Sequence, residues 1–162
     1  MNVYITGDTH RNFRDVVMFA MRNNTRRSDV LIILGDVGIN YCGDERDVEL
    51  KKQLHKLPLT LFCIHGNHEM RPESIDSYIE TERFGGTVYL EKSYPNLVFA
   101  KCGEIYDFND RKCLVVGGAY SVDKHYRIQE NAGWWADEQP SDAIKSRVEK
   151  KLDNANWKVD AV

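Results

Sequence analysis

No stretch of the sequence approaches the roughly 18 apolar residues of a membrane span, and no basic segment leads into a long apolar run at the start, Met1-Asn2-Val3-Tyr4-Ile5-Thr6. Both absences argue against a membrane protein or a secretory leader, and a cytoplasmic location is the expectation. There is no C-x-x-C pair. Cys42, Cys63, Cys102 and Cys113 lie far apart, which excludes a disulfide framework and leaves four reduced thiols. Surplus charge of one sign is missing too: 22 basic and 25 acidic residues, net −3, are scattered along the chain. That balance leaves no footprint for duplex nucleic acid, so a phosphate-bearing substrate needs metal or local arginines to hold it. Low-complexity stretches, Gly/Ser linkers and internal repeats are also lacking. The 162 residues, 42 % apolar, are therefore expected to form one domain over 1–162, large enough for a core without disulfide staples.

What is present is a repeating pattern. Asn2 to Thr6 is a β-rich run that ends at Gly7-Asp8, and Phe13 to Asn24 carries Val16, Val17, Phe19 and Ala20 at helical spacing. Val30 to Leu34 is a continuous apolar strand that again stops at Gly-Asp, as Gly35-Asp36. Glu45 to Leu57 reads as a helix stopped by Pro58, and Leu59 to Ile64 as a third buried strand running into His65-Gly66-Asn67-His68. In open α/β sheets, ligands bind outside the carboxyl ends of the strands, so three polar loops at that edge converge on one site. Beyond Pro72 the runs shorten. Thr87–Leu90, Leu97–Ala100, Glu104–Phe108 and Lys112–Val116 predict a second, more antiparallel sheet, with Asn109-Asp110 as a hairpin turn. A polar, aromatic loop through Trp134-Trp135 follows, then a helix opened by Pro140-Ser141 and running to about Asn154, then the beginning of a strand at Lys158 to Val162.

Asp8, His10, Asp36 and Asn67 offer carboxylate, imidazole, carboxylate and amide oxygen, a donor set suited to Mn²⁺, Fe, Ni²⁺ or Zn²⁺. Asp36 is able to bridge two ions, which would activate a shared water towards phosphorus. His68, beside Asn67, is placed as general acid, with Glu69 as the residue to orient it. The glycines before Asp8, Asp36 and Asn67 are expected to supply positive φ and close approach. A lone Gly-Asp at a strand end is usually a turn. Three such loops in order, each after a buried strand, are not explained that way.

The loops Gly7-Asp8-Thr9-His10, Gly35-Asp36-Val37-Gly38 and Gly66-Asn67-His68-Glu69 resemble the G-D-x-H, G-D-x-x and G-N-H-[D/E] blocks of the calcineurin-like metallophosphoesterase superfamily. By motif the resemblance covers residue 1 to about 120, and Gly117-Gly118-Ala119-Tyr120-Ser121-Val122-Asp123-Lys124 is similar to a segment of its small bacterial and phage members. It implies an α/β fold, a four-layer α/β/β/α sandwich trimmed at the C-terminal side. It also implies one or two divalent ions per chain, Mn²⁺ first among them: Asp8, His10 and Asp36 on the first, Asp36 and Asn67 on the second, and His68 as the catalytic histidine. Two further blocks of the superfamily, a histidine at a strand end and a G-H-x-H loop, are not in this sequence, so the second ion is expected to be held more weakly.

Where the superfamily usually has glycine stands Arg11, a cation that either binds substrate phosphate or disfavours a nearby ion. Of the other histidines, His55 reads as a surface residue, His65 as structural and His125 as a candidate substitute at the site. Tyr126, Arg127, Trp134 and Trp135 form an aromatic and basic cluster suited either to a nucleotide substrate or to a protein interface. Two functional readings follow: a metal-dependent phosphomonoesterase or phosphodiesterase, or a binding or inhibitory protein of phage or another mobile element that kept the fold. The second reading calls for a homodimer or protein partner covering the open sheet edge.

Overall fold

The computed structural model describes residues 1–130 and 132–162. Strands β1 (Val3–Gly7), β2 (Val30–Leu34) and β3 (Thr60–Ile64) alternate with helices α1 (Arg14–Arg22) and α2 (Glu45–Leu54), within a few residues of where the apolar runs place them. Asp44 caps α2 by accepting from the Arg46 N–H at 2.9 Å. A 3₁₀ turn at Pro72–Ser74 precedes β4 (Ile79–Arg83), β5 (Gly86–Leu90), β6 (Leu97–Ala100), β7 (Ile105–Asp107) and β8 (Lys112–Leu114), then α3 (Lys124–Gln129) and α4 (Asp142–Asn154). The Ser141 hydroxyl caps α4, accepting from the Ile144 N–H.

Six strands form one sheet in the order β1-β2-β3-β6-β5-β4, parallel from β1 to β6 and antiparallel from β6 to β4. The expected second sheet is thus reduced to the β7–β8 pair, because β5 and β6 join the first sheet. Asn109 and Asp110 turn that hairpin with φ of 56° and 63°, the left-handed pair that matches strand twist.

Alternation along each strand builds two cores. Leu31, Ile33, Leu61, Cys63, Leu97 and Phe99 face Val16 of α1 and Leu54 of α2. The intervening Val30, Ile32, Phe62 and Val98 face Tyr106, Phe108 and Val115 of the hairpin region. Phe62 meets Phe84, Tyr106 and Phe108 edge to face, with centroids 4.9–5.6 Å apart. The Tyr106 hydroxyl donates to the Thr87 carbonyl at 2.6 Å and accepts from the Lys101 N–H, tying the two sheets together. Lys151 of α4 pairs at 2.7 Å with Glu104, just before β7, which ties α4 to the hairpin region. The strand expected at Lys158 to Val162 is a single parallel bridge, Cys113 with Ala161. No helix among the described residues is long and apolar enough to cross a membrane.

Candidate metal centre

Parallel register places Gly7, Leu34 and Ile64 side by side at the ends of β1, β2 and β3, so the three polar loops leave the sheet at one edge. Donor atoms of Asp8, His10 and Asp36 all lie within 4.8 Å of one another. Asp36 Oδ2 lies 3.8 Å from His10 Nε2 and 3.7 Å from His68 Nε2, while its Oδ1 accepts from the His68 N–H at 3.2 Å. A cleft of about 340 Å³ is lined by Asp8, Asp36, Gly66 and Asn67.

The backbone there is strained in a way the sequence did not announce. Asp8, His10, Arg11 and Asp36 themselves take φ of 48°, 43°, 68° and 43°, a left-handed region costly for residues with a Cβ. Of the glycines before the three motifs only Gly35 has positive φ, at 79°. Gly66 serves by close approach instead: a Cβ there would stand 2.0 Å from Asp36 Oδ1.

Surrounding groups fix the centre. Glu69 is 2 % exposed and turns away from His68, against expectation; its carboxylate accepts from the N–H groups of Val37, Gly38 and Gly66 at 3.0–3.2 Å. Burial pushes its carboxyl up to about 7, against the pull of those three donors. The Tyr41 hydroxyl is 2.8 Å from His10 Nδ1. Burial, then the Asp36 and Glu69 charges, pushes that phenol up, so it remains protonated. Asn67 Nδ2 donates to Ser121 Oγ at 2.8 Å. An Arg127 nitrogen comes within 3.5 Å of His68 Nε2 while its Nε pairs with Asp123 at 2.8 Å.

Arg11 is beside the centre only by backbone. Its guanidinium is turned to the Asp47 carboxylate and to the carbonyls of Gly38 and Arg46, so it braces the 38–47 segment. His125 is exposed on α3 and makes no hydrogen bond to the centre among the described residues. His65 is buried, and burial followed by the Arg71 cation pushes its imidazole down to about 3, which keeps it neutral. His55 is half-buried rather than on the surface, its Nδ1 bonded to the Asn96 amide. The aromatic and basic cluster separates: Arg127 reaches His68, Trp134 donates to Glu138 and lies under Lys124, and Tyr126 is exposed. Arg71, also buried, clamps the carbonyls of Asp137 and Gln139. Tyr41 and Ser121 escaped the sequence reading because each is defined by a contact across the fold, not by motif spacing.

Two carboxylates and an imidazole converging from separate loops, with an amide beside them, fit a borderline divalent cation better than a purely structural turn cluster. The chain belongs to the calcineurin-like phosphoesterase family, whose model matches residues 1–159. A solved structure of a protein of unknown function from Aquifex aeolicus is similar at 21 % identity and a TM-score of 0.30, over 55 % of this chain and 59 % of that one. This chain therefore spans less than two thirds of the length of that relative. No curated protein matches.

Proposed function

We propose that the chain hydrolyses a phosphate ester at divalent ions, Mn²⁺ first among them, held by Asp8, His10 and Asp36 and, more weakly, by Asp36 and Asn67. What carries this reading is the convergence of three ligating side chains within 4.8 Å, with His68 Nε2 3.7 Å from the shared Asp36 oxygen. Bound there, the ions supply Lewis-acid charge and an activated water. The residues do the rest. His68 protonates the departing oxygen. Arg127, held by Asp123 beside His68, pairs with the phosphoryl oxygens; Arg11, occupied by Asp47, does not.

Elemental analysis of the purified protein, with turnover of a bis-aryl and an aryl phosphate in Mn²⁺, tests the reading and separates diesterase from monoesterase. Stoichiometric metal with turnover supports it. Metal-free protein inactive after Mn²⁺ loading would favour the binding-protein reading.

Tyr41 supplies a subtler check. When His10 Nδ1–H donates to the Tyr41 oxygen, Nε2 keeps its lone pair for the ion. Tyr41→Phe is expected to leave the fold intact and weaken the first Mn²⁺ about 10-fold or more, read by titration calorimetry. Unchanged affinity would remove Tyr41 from this role.

A further inference from the structure

We propose that Ser121 is a positioning residue that orients the Asn67 amide, so that Oδ1 rather than Nδ2 is presented to the second ion. This rests on the assignment of Asn67 as a ligand made above. An amide has two ends of nearly equal shape and opposite hydrogen-bonding character, one accepting and one donating. A cation is bound by only one of them. In the reversed orientation two N–H donors would face the ion and the site would lose its ligand. A neighbour that accepts from Nδ2 therefore supports the ligating rotamer.

Ser121 is the neighbour so placed. It is 1 % exposed, and its Oγ accepts from Asn67 Nδ2 at 2.8 Å. The same amide end lies 3.4 Å from His68 Nε2, so both neighbours are at the nitrogen. Asn67 Oδ1 accepts no hydrogen bond among the described residues and is left for a ligand. Asn67 lines the cleft with Asp8 and Asp36, and Ser121 reaches that cleft through its bond to Asn67.

The fold holds Ser121 at this post from two sides. Gly117-Gly118 crosses the third motif at contact distance: the Gly118 N–H donates to the His65 carbonyl at 3.0 Å, and a Cβ on Gly117 would meet that carbonyl at 2.7 Å. On the other side, the Lys124 N–H donates to the Ser121 carbonyl at 3.1 Å as the chain enters α3. Gly118 has φ of 89° and faces the Glu138 carbonyl, so the segment that Arg71 clamps also presses this turn into place. Ser121, well beyond the third motif, thus joins the metal centre through one hydrogen bond spanning 54 residues of sequence.

Titration calorimetry with Mn²⁺ alone tests this without reference to turnover, using wild type, Ser121→Ala, Ser121→Thr and Asn67→Ala. Wild type is expected to bind two ions and Asn67→Ala to lose the second. Ser121→Ala should leave the first affinity unchanged and weaken the second about 10- to 100-fold. The unchanged first ion reports that the variant is folded. Ser121→Thr, which keeps the hydroxyl, should restore the second ion. Two equal wild-type affinities in Ser121→Ala, equal weakening of both ions, or no restoration by threonine would each overturn the role of Ser121 while leaving the metal reading standing. A wild type that binds one ion only would overturn the role of Ser121 and the second site with it, and a wild type that binds none would overturn the metal reading itself.

Discussion

Asp36→Asn is expected to abolish hydrolysis while leaving the protein folded. Asparagine keeps an oxygen for the His68 N–H, the bond now made by Asp36 Oδ1. It replaces Oδ2, which lies within 3.8 Å of both His10 and His68, by an uncharged donor. Loss of the shared anionic ligand removes several kcal/mol of transition-state charge stabilisation, a fall in kcat/KM of about 10³-fold or more. A second readout separates metal loss from damage to chemistry. At 100 times Kd, Mn²⁺ should stabilise wild type by about 2.7 kcal/mol, a rise in Tm of roughly 5–10 °C for a chain of this size. Asp36→Asn should lack most of that rise. His68→Ala should keep it and still lose about 10²- to 10⁴-fold in turnover, because the histidine acts on the proton and not on the ion. Wild-type turnover in Asp36→Asn would end the reading of this site as a phosphoesterase centre.

Glu69→Ala should be the most damaging change to stability around the centre. The carboxylate is the common acceptor for three backbone donors, Val37 and Gly38 in the second loop and Gly66 in the third. Alanine leaves the Val37 and Gly38 donors buried and unpaired and the half-buried Gly66 donor without its acceptor. Each orphaned donor costs about 1–3 kcal/mol, and because the three share one cavity the sum is less than additive. A loss of about 3–5 kcal/mol follows, with Tm lower by roughly 6–20 °C. Glu69→Gln should fall between, since one amide oxygen still accepts while the nitrogen confronts an N–H. Urea melts of the metal-free proteins measure this directly, and an unshifted midpoint in Glu69→Ala would show that the loops are held by something else. Because Gly66 packs against Asp36, loosening these loops should also weaken Mn²⁺ binding.

The difference between the expected and observed role of Glu69 shows where sequence is informative here. Strands β2 and β3 were legible because a short apolar run buried on both faces and ending at a polar, glycine-containing loop has few alternative placements, and β1, though half-exposed, was legible from its β-rich run stopping at Gly7-Asp8. The convergence of Asp8, His10 and Asp36 followed from those strands by register. Sheet membership did not: β6 is as apolar as a second-layer strand would be, and only its pairing with β3 puts it in the first sheet. Strand β4, Ile-Glu-Thr-Glu-Arg, is an edge strand with three charged residues and carries no burial pattern to read. Helix α3 is six residues without a buried position, so periodicity had nothing to detect. Side-chain direction was also beyond reach. Glu69 sits one position from His68 and was assigned to it, yet its partners are 31 and 32 residues away as well as three. Arg11 likewise found its acceptor 36 residues downstream.

The left-handed backbone at Asp8, His10 and Asp36 carries a consequence for how the protein can change. Glycine adopts that conformation freely, so replacing any of the three by glycine would relieve strain and, at the two aspartates, also thin out crowded negative charge. Heat resistance and catalytic capacity therefore pull in opposite directions at these positions. Variants sorted only for survival at high temperature, without added metal, would accumulate glycine at the ligands and discard the centre before touching the core. A screen that includes Mn²⁺ would reverse that pressure, since the bound ion rewards the strained conformation.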